Sequence, residues 1–129
     1  MTHASRAHIL IIEGDVELAA RFTALFESVG YTVHTEFHGA TALSYATRHC
    51  PDLVIVNMQL PDMNGYQVCW ELRNRCEVMI MPIIVLTAVD DPADHLRGFT
   101  AGATICLPVS REDALLHTVT LLFESVAVH

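Results

Sequence analysis

The stretch DLVIVNMQLPDMNG, residues 52–65, decides the fold, because a short apolar run gives way there to a polar turn. Residues 53–56 form a continuous apolar run of strand length, which is typical of a strand buried on both faces of a sheet. Residues 61–65 then supply Pro, Asp, Asn and Gly, which favour a turn. The stretch therefore predicts a buried strand whose carboxyl end, at Asn57 and Met58, opens into a loop.

The same pattern extends outward in both directions. Residues 9–12 and 83–86 are further apolar runs that predict buried strands. Residues 31–35 are rich in β-forming residues and alternate in character, which favours an edge strand. Residues 104–106 predict a short fifth strand. The chain is thus expected to contain five strands.

Apolar residues recur at helical spacing between these strands. The first helix is predicted to begin after the N-cap Asp15 and to stop at Gly30. Others are predicted over residues 39–48 and 66–75, over 92–101 with Pro at the first position, and after a Ser110 cap. Alternating strands and helices predict an α/β, (βα)5 fold, in which a parallel sheet has helices on both faces.

Ligands of such sheets bind outside the carboxyl ends of the strands. Four strand ends carry the candidate site residues: Glu13 and Gly14, Asn57 and Met58, Thr87 and Ala88, and Leu107 and Pro108. Function is therefore to be sought where these ends meet.

Composition limits the classes of function. The chain has 129 residues, 52% of them apolar, and a net charge of −8. We expect one domain that binds neither nucleic acid nor an anionic membrane, since both need clustered Lys and Arg. The longest apolar run, residues 78–89, is too short to span a bilayer, and no signal segment is evident, so we expect a cytoplasmic protein.

Cysteine and histidine usage suggests no metal centre. Cys50, Cys69, Cys76 and Cys106 form no Cys-x-x-Cys pair, and the eight histidines are scattered. We expect reduced cysteines that serve mostly as small core residues, with a redox role for Cys106 as the alternative. Trp70 on the third predicted helix is either a contact residue or part of the core, and its spacing leaves both interpretations open.

The chain resembles the receiver domain of bacterial two-component response regulators from about His8 to Ser125. The most specific match is residues 52–65, where the family shows a strand, an Asp, a hydrophobic–Pro pair and a turn that ends in Gly. Residues 84–88 and 101–103 also match, and residues 11–15 match less closely. The resemblance implies a flavodoxin-like fold with strand order 2-1-3-4-5 over residues 8–125, with tails at 1–7 and 126–129.

The resemblance also implies a phosphorylation chemistry from which this chain departs. In the family a strand-end Asp accepts a phosphoryl group, two acidic residues after the first strand hold Mg²⁺, and a hydroxyl and a Lys contact the phosphoryl oxygens. Here Asn57 stands at the Asp position, and Glu13 and Gly14 stand at the acidic pair. Leu107 stands at the Lys position, before Pro108, and Thr87 alone keeps the residue type. Asp15, beside the acidic pair, is better explained as a helix cap.

The fifth strand departs from the family as well. Only four residues separate Ala103 from Pro108, about two fewer than the resemblance leads us to expect. The switch aromatic of the family is not evident, and Ile105 or Cys106 falls nearest to its position. The resemblance also allows a cis bond between Leu107 and Pro108, which the sequence leaves open.

These departures agree with one another, because fewer carboxylates weaken Mg²⁺ binding and a buried Lys without carboxylate partners is costly. We therefore expect a pseudo-receiver: not an enzyme, without a cofactor, with weak or no Mg²⁺ binding. It would act by contact with a protein such as a histidine kinase or a downstream regulator. Homodimerisation between Asp91 and Ser125 is a further expectation.

Two alternatives stay open at this point. The chain could accept a phosphoryl group on a displaced carboxylate, Asp62 or Asp15. It could instead sense a small molecule such as a flavin at the same strand ends.

Overall fold

The computed structural model describes residues 7–75, 81–88 and 91–127. Cys76, parts of the apolar run 78–89 and most of the predicted tails lie outside these residues. The strands are β1 (His8–Ile12), β2 (Thr32–Glu36), β3 (Leu53–Asn57), β4 (Ile83–Thr87) and β5 (Ile105–Pro108). The helices are α1 (Val16–Glu27), α2 (Gly39–His49), α3 (Gly65–Arg75), α4 (Pro92–Ala101) and α5 (Glu112–Ala127). The predicted (βα)5 order is confirmed.

The five strands form one parallel sheet in the order β2-β1-β3-β4-β5, as expected. In the register of the sheet, Ile12 lies beside Val56, and Asn57 lies beside Leu86. Thr87 lies beside Pro108. This register brings the carboxyl ends of β1, β3, β4 and β5 to one edge of the sheet.

Side chains alternate between the two faces of the central strand β3. Val54 and Val56 pack beneath α2, α3 and the neighbouring α4. Leu53 and Ile55 pack beneath α1 and α5. All four side chains are fully buried, which explains why a continuous apolar run, rather than an alternating one, marks this strand. None of the described helices combines the length and apolar character needed to cross a bilayer.

The helix ends agree in part with the predicted caps. Asp15 caps α1 and accepts hydrogen bonds from the backbone N–H groups of Glu17 and Leu18. Asp91 caps α4, Pro92 is its first residue, and Gly102 ends it with a φ of +106°.

Two predicted boundaries were wrong, whereas the stop of the first helix at Gly30 is confirmed. After Glu27 the chain makes one more turn, in which Gly30, with a φ of +103°, donates its N–H to the carbonyl of Glu27 and Tyr31 donates to Phe26. The last helix begins at Glu112, so the first carbonyl to accept an intrahelical bond is that of Arg111 rather than of Ser110. The fifth strand is Ile105–Pro108 instead of residues 104–106. Thr104 precedes that strand because its hydroxyl oxygen accepts a hydrogen bond from the N–H of Ile83 at 2.9 Å.

Candidate functional site

The strand ends meet around an open cleft of about 500 Å³. Glu13 follows β1, Asn57 ends β3, and Ala88 follows β4. The cleft is lined by Glu13, Gly14, Asp15, Leu18, Asn57, Gln59, Leu60, Pro61, Ala88 and Val109. The structure thus brings together the residues that the sequence marked at the first and third strand ends, with Thr87, Leu107 and Pro108 on the adjoining strands.

A hydrogen bond between Asn57 and Glu13 forms the centre of the site. The Glu13 side chain is buried, with 3% of its surface exposed. Asn57 Nδ2 donates to Glu13 Oε1 at 2.7 Å, and the backbone N–H of Asp15 donates to Glu13 Oε2 at 3.0 Å. Each carboxylate oxygen therefore already has an N–H donor, which a buried charge requires.

The orientation of the Asn57 amide follows from its two partners. Asn57 Oδ1 accepts from the backbone N–H of Gln59 at 2.9 Å. An amide turned the other way would set its NH₂ group against that N–H and its oxygen against the carboxylate of Glu13. The amide thus bridges the carboxylate and the loop, a role that needs both a donor and an acceptor.

Pro61 covers the position where the resemblance places a second acidic residue. A Cβ atom on Gly14 would lie 3.0 Å from Cδ of Pro61, a contact so tight that the proline ring would have to shift by a few tenths of an ångström. The loop that carries Pro61 is itself held close to the strand end, since the N–H of Gly65 donates to the carbonyl of Met58 at 2.7 Å. A Cβ on Gly65 would lie 2.6 Å from the carbonyl oxygen of Asn57, so this close approach requires glycine.

Thr87 is fully buried at its strand end, and Leu107 is half-buried beside it. The Thr87 hydroxyl donates to the carbonyl of Leu107 at 3.4 Å. The Leu107 side chain packs against the core beneath α1 and α5. The peptide bond between Leu107 and Pro108 is trans. Thr87 thus bonds the backbone of the neighbouring strand at its own strand end.

The residues of the site do not fit the Mg²⁺ ion that the resemblance implies. Mg²⁺ prefers several oxygen ligands, usually with one or two carboxylates. Here Glu13 is the buried carboxylate, both of its oxygens accept N–H groups, and Asn57 turns an amide donor toward it. Within residues 7–75, 81–88 and 91–127, no group of three or more His, Cys, Asp or Glu side chains could hold a metal.

The two displaced carboxylates that the sequence left open are both helix caps. Asp62 accepts from the N–H groups of Gly39 at 2.8 Å and Ala40 at 3.0 Å. These backbone hydrogen bonds, chiefly that of Ala40, hold the pKa of Asp62 below its ordinary value of 3.8. The residue before α2 is His38, which makes no side-chain cap bond, so Asp62 caps this helix from a distant loop. Sequence analysis missed this role. The signal that could have indicated it is His38, which is a poor capping residue at the start of α2.

Sequence analysis also missed Tyr66, which brings a phenol ring from α3 to Met58 and α4. Its hydroxyl lies 3.0 Å from Sδ of Met58 and 3.4 Å from the carbonyl oxygen of Asp94. Burial, with a smaller effect of the Asp94 charge, raises the pKa of Tyr66 to about 12, so the phenol is neutral.

Cys106 on β5 is buried beneath α4. Burial, and secondarily the charge of Asp94, raises the pKa of the Cys106 thiol. Since the thiolate is the reactive form, this shift disfavours the redox alternative and supports a core role for Cys106.

Comparison with known proteins shows one consistent relationship. A family model described as the response regulator receiver domain matches residues 9–119. The chain is 32% identical over 115 residues to the response regulator PleD of Caulobacter vibrioides, across 85% of this chain and 24% of PleD. It is 33% identical over 116 residues to the response regulator ArlR of Staphylococcus aureus, across 88% of this chain and 52% of ArlR. The chain thus spans about a quarter of one relative and about half of the other.

A solved structure agrees with this relationship. It is the signal receiver domain of a signal transduction histidine kinase from Syntrophus aciditrophicus, with a TM-score of 0.83 and 28% identity. The superposition covers 93% of this chain and 92% of that one.

Proposed function

Because the chain belongs to the response regulator receiver domain family, we propose that it is a pseudo-receiver: a signalling module that binds other proteins without being phosphorylated. One observation carries this proposal. The amide of Asn57, rather than a carboxylate with a bound cation, is hydrogen-bonded to the buried Glu13 at the end of β3.

The chemistry of Asn57 supports the loss of the reaction. An aspartyl phosphate needs a carboxylate oxygen as the nucleophile, and an amide offers none of comparable strength. The Asn57 oxygen is moreover engaged with the N–H of Gln59, and its nitrogen is engaged with Glu13.

The charge balance of the site supports the same conclusion. Phosphoryl transfer needs cations where negative charge develops. At this strand end Leu107 contributes a half-buried aliphatic side chain that packs against the core. The two carboxylate oxygens of Glu13 accept hydrogen bonds from neutral N–H groups, those of Asn57 and Asp15. The proposal therefore includes no catalytic activity and no resident Mg²⁺.

The partners follow from the family. Receiver domains of response regulators interact with histidine kinases and with downstream effectors, and we propose a partner of one of these classes for this chain. Homodimerisation between Asp91 and Ser125 stays a prediction. A cytoplasmic location also stays a prediction, as does the absence of nucleic-acid and membrane binding.

The two alternatives rank lower. Asp62 and Asp15 use carboxylate oxygens to cap helices, so their attack on a phosphoryl donor would uncap α2 or α1. A flavin nucleotide would bring its phosphate charge toward a cleft lined by Glu13 and Asp15.

The test is the intact mass of the protein after incubation with Mg²⁺ and acetyl phosphate. A phosphoryl adduct adds about 80 Da, and we expect none on the wild type. The double variant Asn57→Asp, Leu107→Lys, which restores the nucleophile and the cation of the family without placing a Cβ atom against Pro61, is the positive control. An adduct on the wild type that Asp62→Ala or Asp15→Ala removes would overturn the proposal in favour of a displaced carboxylate.

A further inference from the structure

A shallow apolar groove runs between α3 and α4, away from the strand ends. Trp70 lies in the middle of this groove and lines a cavity on each side, of about 480 Å³ and about 440 Å³. Trp70 is 55% exposed and Leu96, across the groove on α4, is 68% exposed. Thr100 and Ala101 line both cavities with Trp70. Apolar residues of this size are usually covered, so this much exposure in one place indicates a contact surface.

The residue types of the groove are those that dominate binding energy at protein interfaces. Trp, Tyr and Arg are enriched among such residues, and Trp70, Tyr66 and Arg97 line the first cavity together. Arg97 is 69% exposed, and its ion-pair distance to Asp94 is 3.8 Å. An exposed ion pair at this distance contributes little stabilising free energy, so the Arg97 guanidinium is accessible to a carboxylate of a partner.

Charge favours an acidic occupant for this face. The chain has a net charge of −8 and seven basic residues. Helices α3 and α4 carry three of them, Arg73, Arg75 and Arg97, against two acidic residues. Helices α1 and α5 instead carry five acidic residues against one arginine. These charges sum to +1 for α3 and α4 and to −4 for α1 and α5, and the charged residues that line the two cavities are Arg73 and Arg97. An acidic segment is therefore favoured at the α3–α4 face over the α1–α5 face.

The size of the groove favours a short segment over a second copy of the domain. A large apolar side chain has a surface of about 150–250 Å². With their exposed fractions, Trp70, Leu96 and the neighbouring Phe99 together expose roughly 350 Å² of apolar surface. A stable protein interface buries about 800 Å² on each partner. The part of α4 that lines the groove, Leu96 to Ala101, extends about 8 Å along the helix axis. This length matches the distance between two apolar side chains that lie one or two turns apart on a bound helix.

We propose that the α3–α4 groove binds an acidic, amphipathic helical segment of a partner protein. Two apolar anchors of the segment would enter the cavities on either side of Trp70, and a carboxylate would pair with Arg97. This inference rests on the proposed function, since it names the surface through which a module that is not phosphorylated would bind its partner.

The binding test uses Trp70 as its own reporter, because it is the single tryptophan of the chain. The probe is a 16-residue peptide with Leu at positions 4, 8 and 11, Glu on the opposite face and Ala elsewhere. A matched peptide carries Lys in place of every Glu. We expect the acidic peptide to shift the Trp70 emission to shorter wavelength and to bind about ten-fold more tightly than the lysine peptide.

Two pairs of variants locate the site. Arg97→Glu should reverse the preference between the peptides, whereas Arg111→Glu should not; Arg111 is 61% exposed and its distance to Asp113 is 4.0 Å. Leu96→Glu should weaken binding of the acidic peptide about ten-fold or more, whereas Leu121→Glu, at another exposed leucine, should not. Far-UV circular dichroism checks that all four variants keep the fold.

Three outcomes would overturn the proposal: equal binding of the two peptides, no binding of either, or equal effects of Leu96→Glu and Leu121→Glu. A concentration-dependent dimer that Leu96→Glu abolishes would assign the groove to a second copy and would also overturn it. The mass assay is independent of these results. Failed peptide binding without an adduct would refute only the groove, whereas peptide binding together with an adduct on the wild type would refute only the loss of phosphorylation.

Discussion

At the scale of single residues, the contact between Asn57 and Glu13 depends on which atoms the side chain presents. Asn57 Nδ2 donates to Glu13 Oε1 at 2.7 Å. A carboxylate of the same shape would instead place two negative oxygens at hydrogen-bond distance in a buried site. The amide thus turns a repulsive arrangement into an attractive one without a cation.

Asn57→Asp should therefore destabilise the protein. We expect the free energy of unfolding at pH 7 to fall by about 2 kcal/mol, because Glu13 loses a donor and gains a neighbouring charge. Millimolar Mg²⁺ should restore part of the lost free energy of unfolding in the variant, since a cation between two carboxylates offsets the charge of both. It should leave the stability of the wild type unchanged. Urea unfolding followed by circular dichroism, with and without Mg²⁺, measures both effects.

Asn64→Asp is the matched control in the same loop. Asn64 Oδ1 accepts from the N–H of Gln67 at the start of α3, where a carboxylate is favourable. This variant should unfold within about 0.5 kcal/mol of the wild type. Equal losses from the two substitutions would contradict the role given to the Asn57–Glu13 contact.

At the scale of elements, α2 begins without a cap of its own and is capped by Asp62 from the loop after β3. Both carboxylate oxygens of Asp62 accept N–H groups of α2, from Gly39 and Ala40. This contact links the loop that covers the site to the first turn of α2. The position of the loop therefore depends on α2 as well as on its own turn residues.

Asp62→Ala should lower the free energy of unfolding by about 1 kcal/mol near neutral pH, the usual effect of losing a helix cap. The folded pKa of Asp62 lies below its ordinary value of 3.8. Its stabilisation is thus fully present above the unfolded pKa and is lost as the pH falls through the folded pKa. The difference between wild type and variant should hold from pH 7 to about pH 5 and shrink below about pH 4, as urea unfolding at several pH values would show. A difference independent of pH would contradict a charged cap.

The contact between α4 and β5 depends on a glycine. A Cβ atom on Gly98 would overlap Sγ of Cys106, so the helix packs against the strand only where no side chain intervenes. Gly98 is the buried residue of α4 in the described structure.

Gly98→Ala should destabilise the protein by about 1–2 kcal/mol, since the clash outweighs the gain of about 1 kcal/mol in helix propensity. Cys106→Ala removes the clashing sulfur. The double variant should therefore lose less stability than the sum of the single losses, by about 1 kcal/mol. Thermal unfolding of the four proteins gives this coupling, and additive losses would show that the contact is not the cause.

At the scale of the whole molecule, the buried residues are concentrated in the sheet, and α4 contributes few of them. The described side chains of β4 and those of β3 up to Val56 are at most 1% exposed. Helix α4, by contrast, packs through Gly98 and exposes Leu96 and Phe99. Elements with few buried contacts open locally without global unfolding.

Hydrogen exchange should separate these two regions. Amides of β3 should exchange only through global unfolding, whereas amides of α4 should exchange at least about a hundred-fold faster through local opening. Exchange followed by mass spectrometry or NMR would measure both. Equal protection of α4 and β3 would mean that α4 is more firmly held than its burial indicates.

Much of the architecture was predictable because its signals are local. The apolar residues 53–56 predicted β3, and Asp15 and Asp91 predicted the starts of α1 and α4. The boundary errors have physical causes. Thr104, for example, has a β-branched side chain but uses its hydroxyl oxygen to accept a hydrogen bond from Ile83 before the strand begins.

The sequence by itself determined the alternation of strands and helices and which residue types stand at the strand ends, including Asn57, Gly14 and Leu107. These properties are read from residues a few positions apart. Only the tertiary structure decided that Asn57 binds Glu13, that Pro61 covers Gly14, and that Asp62 caps α2. It also decided that Trp70 is exposed in a groove rather than buried. The physical reason is that each of these features depends on how segments distant in the chain pack against one another, which short-range patterns do not encode.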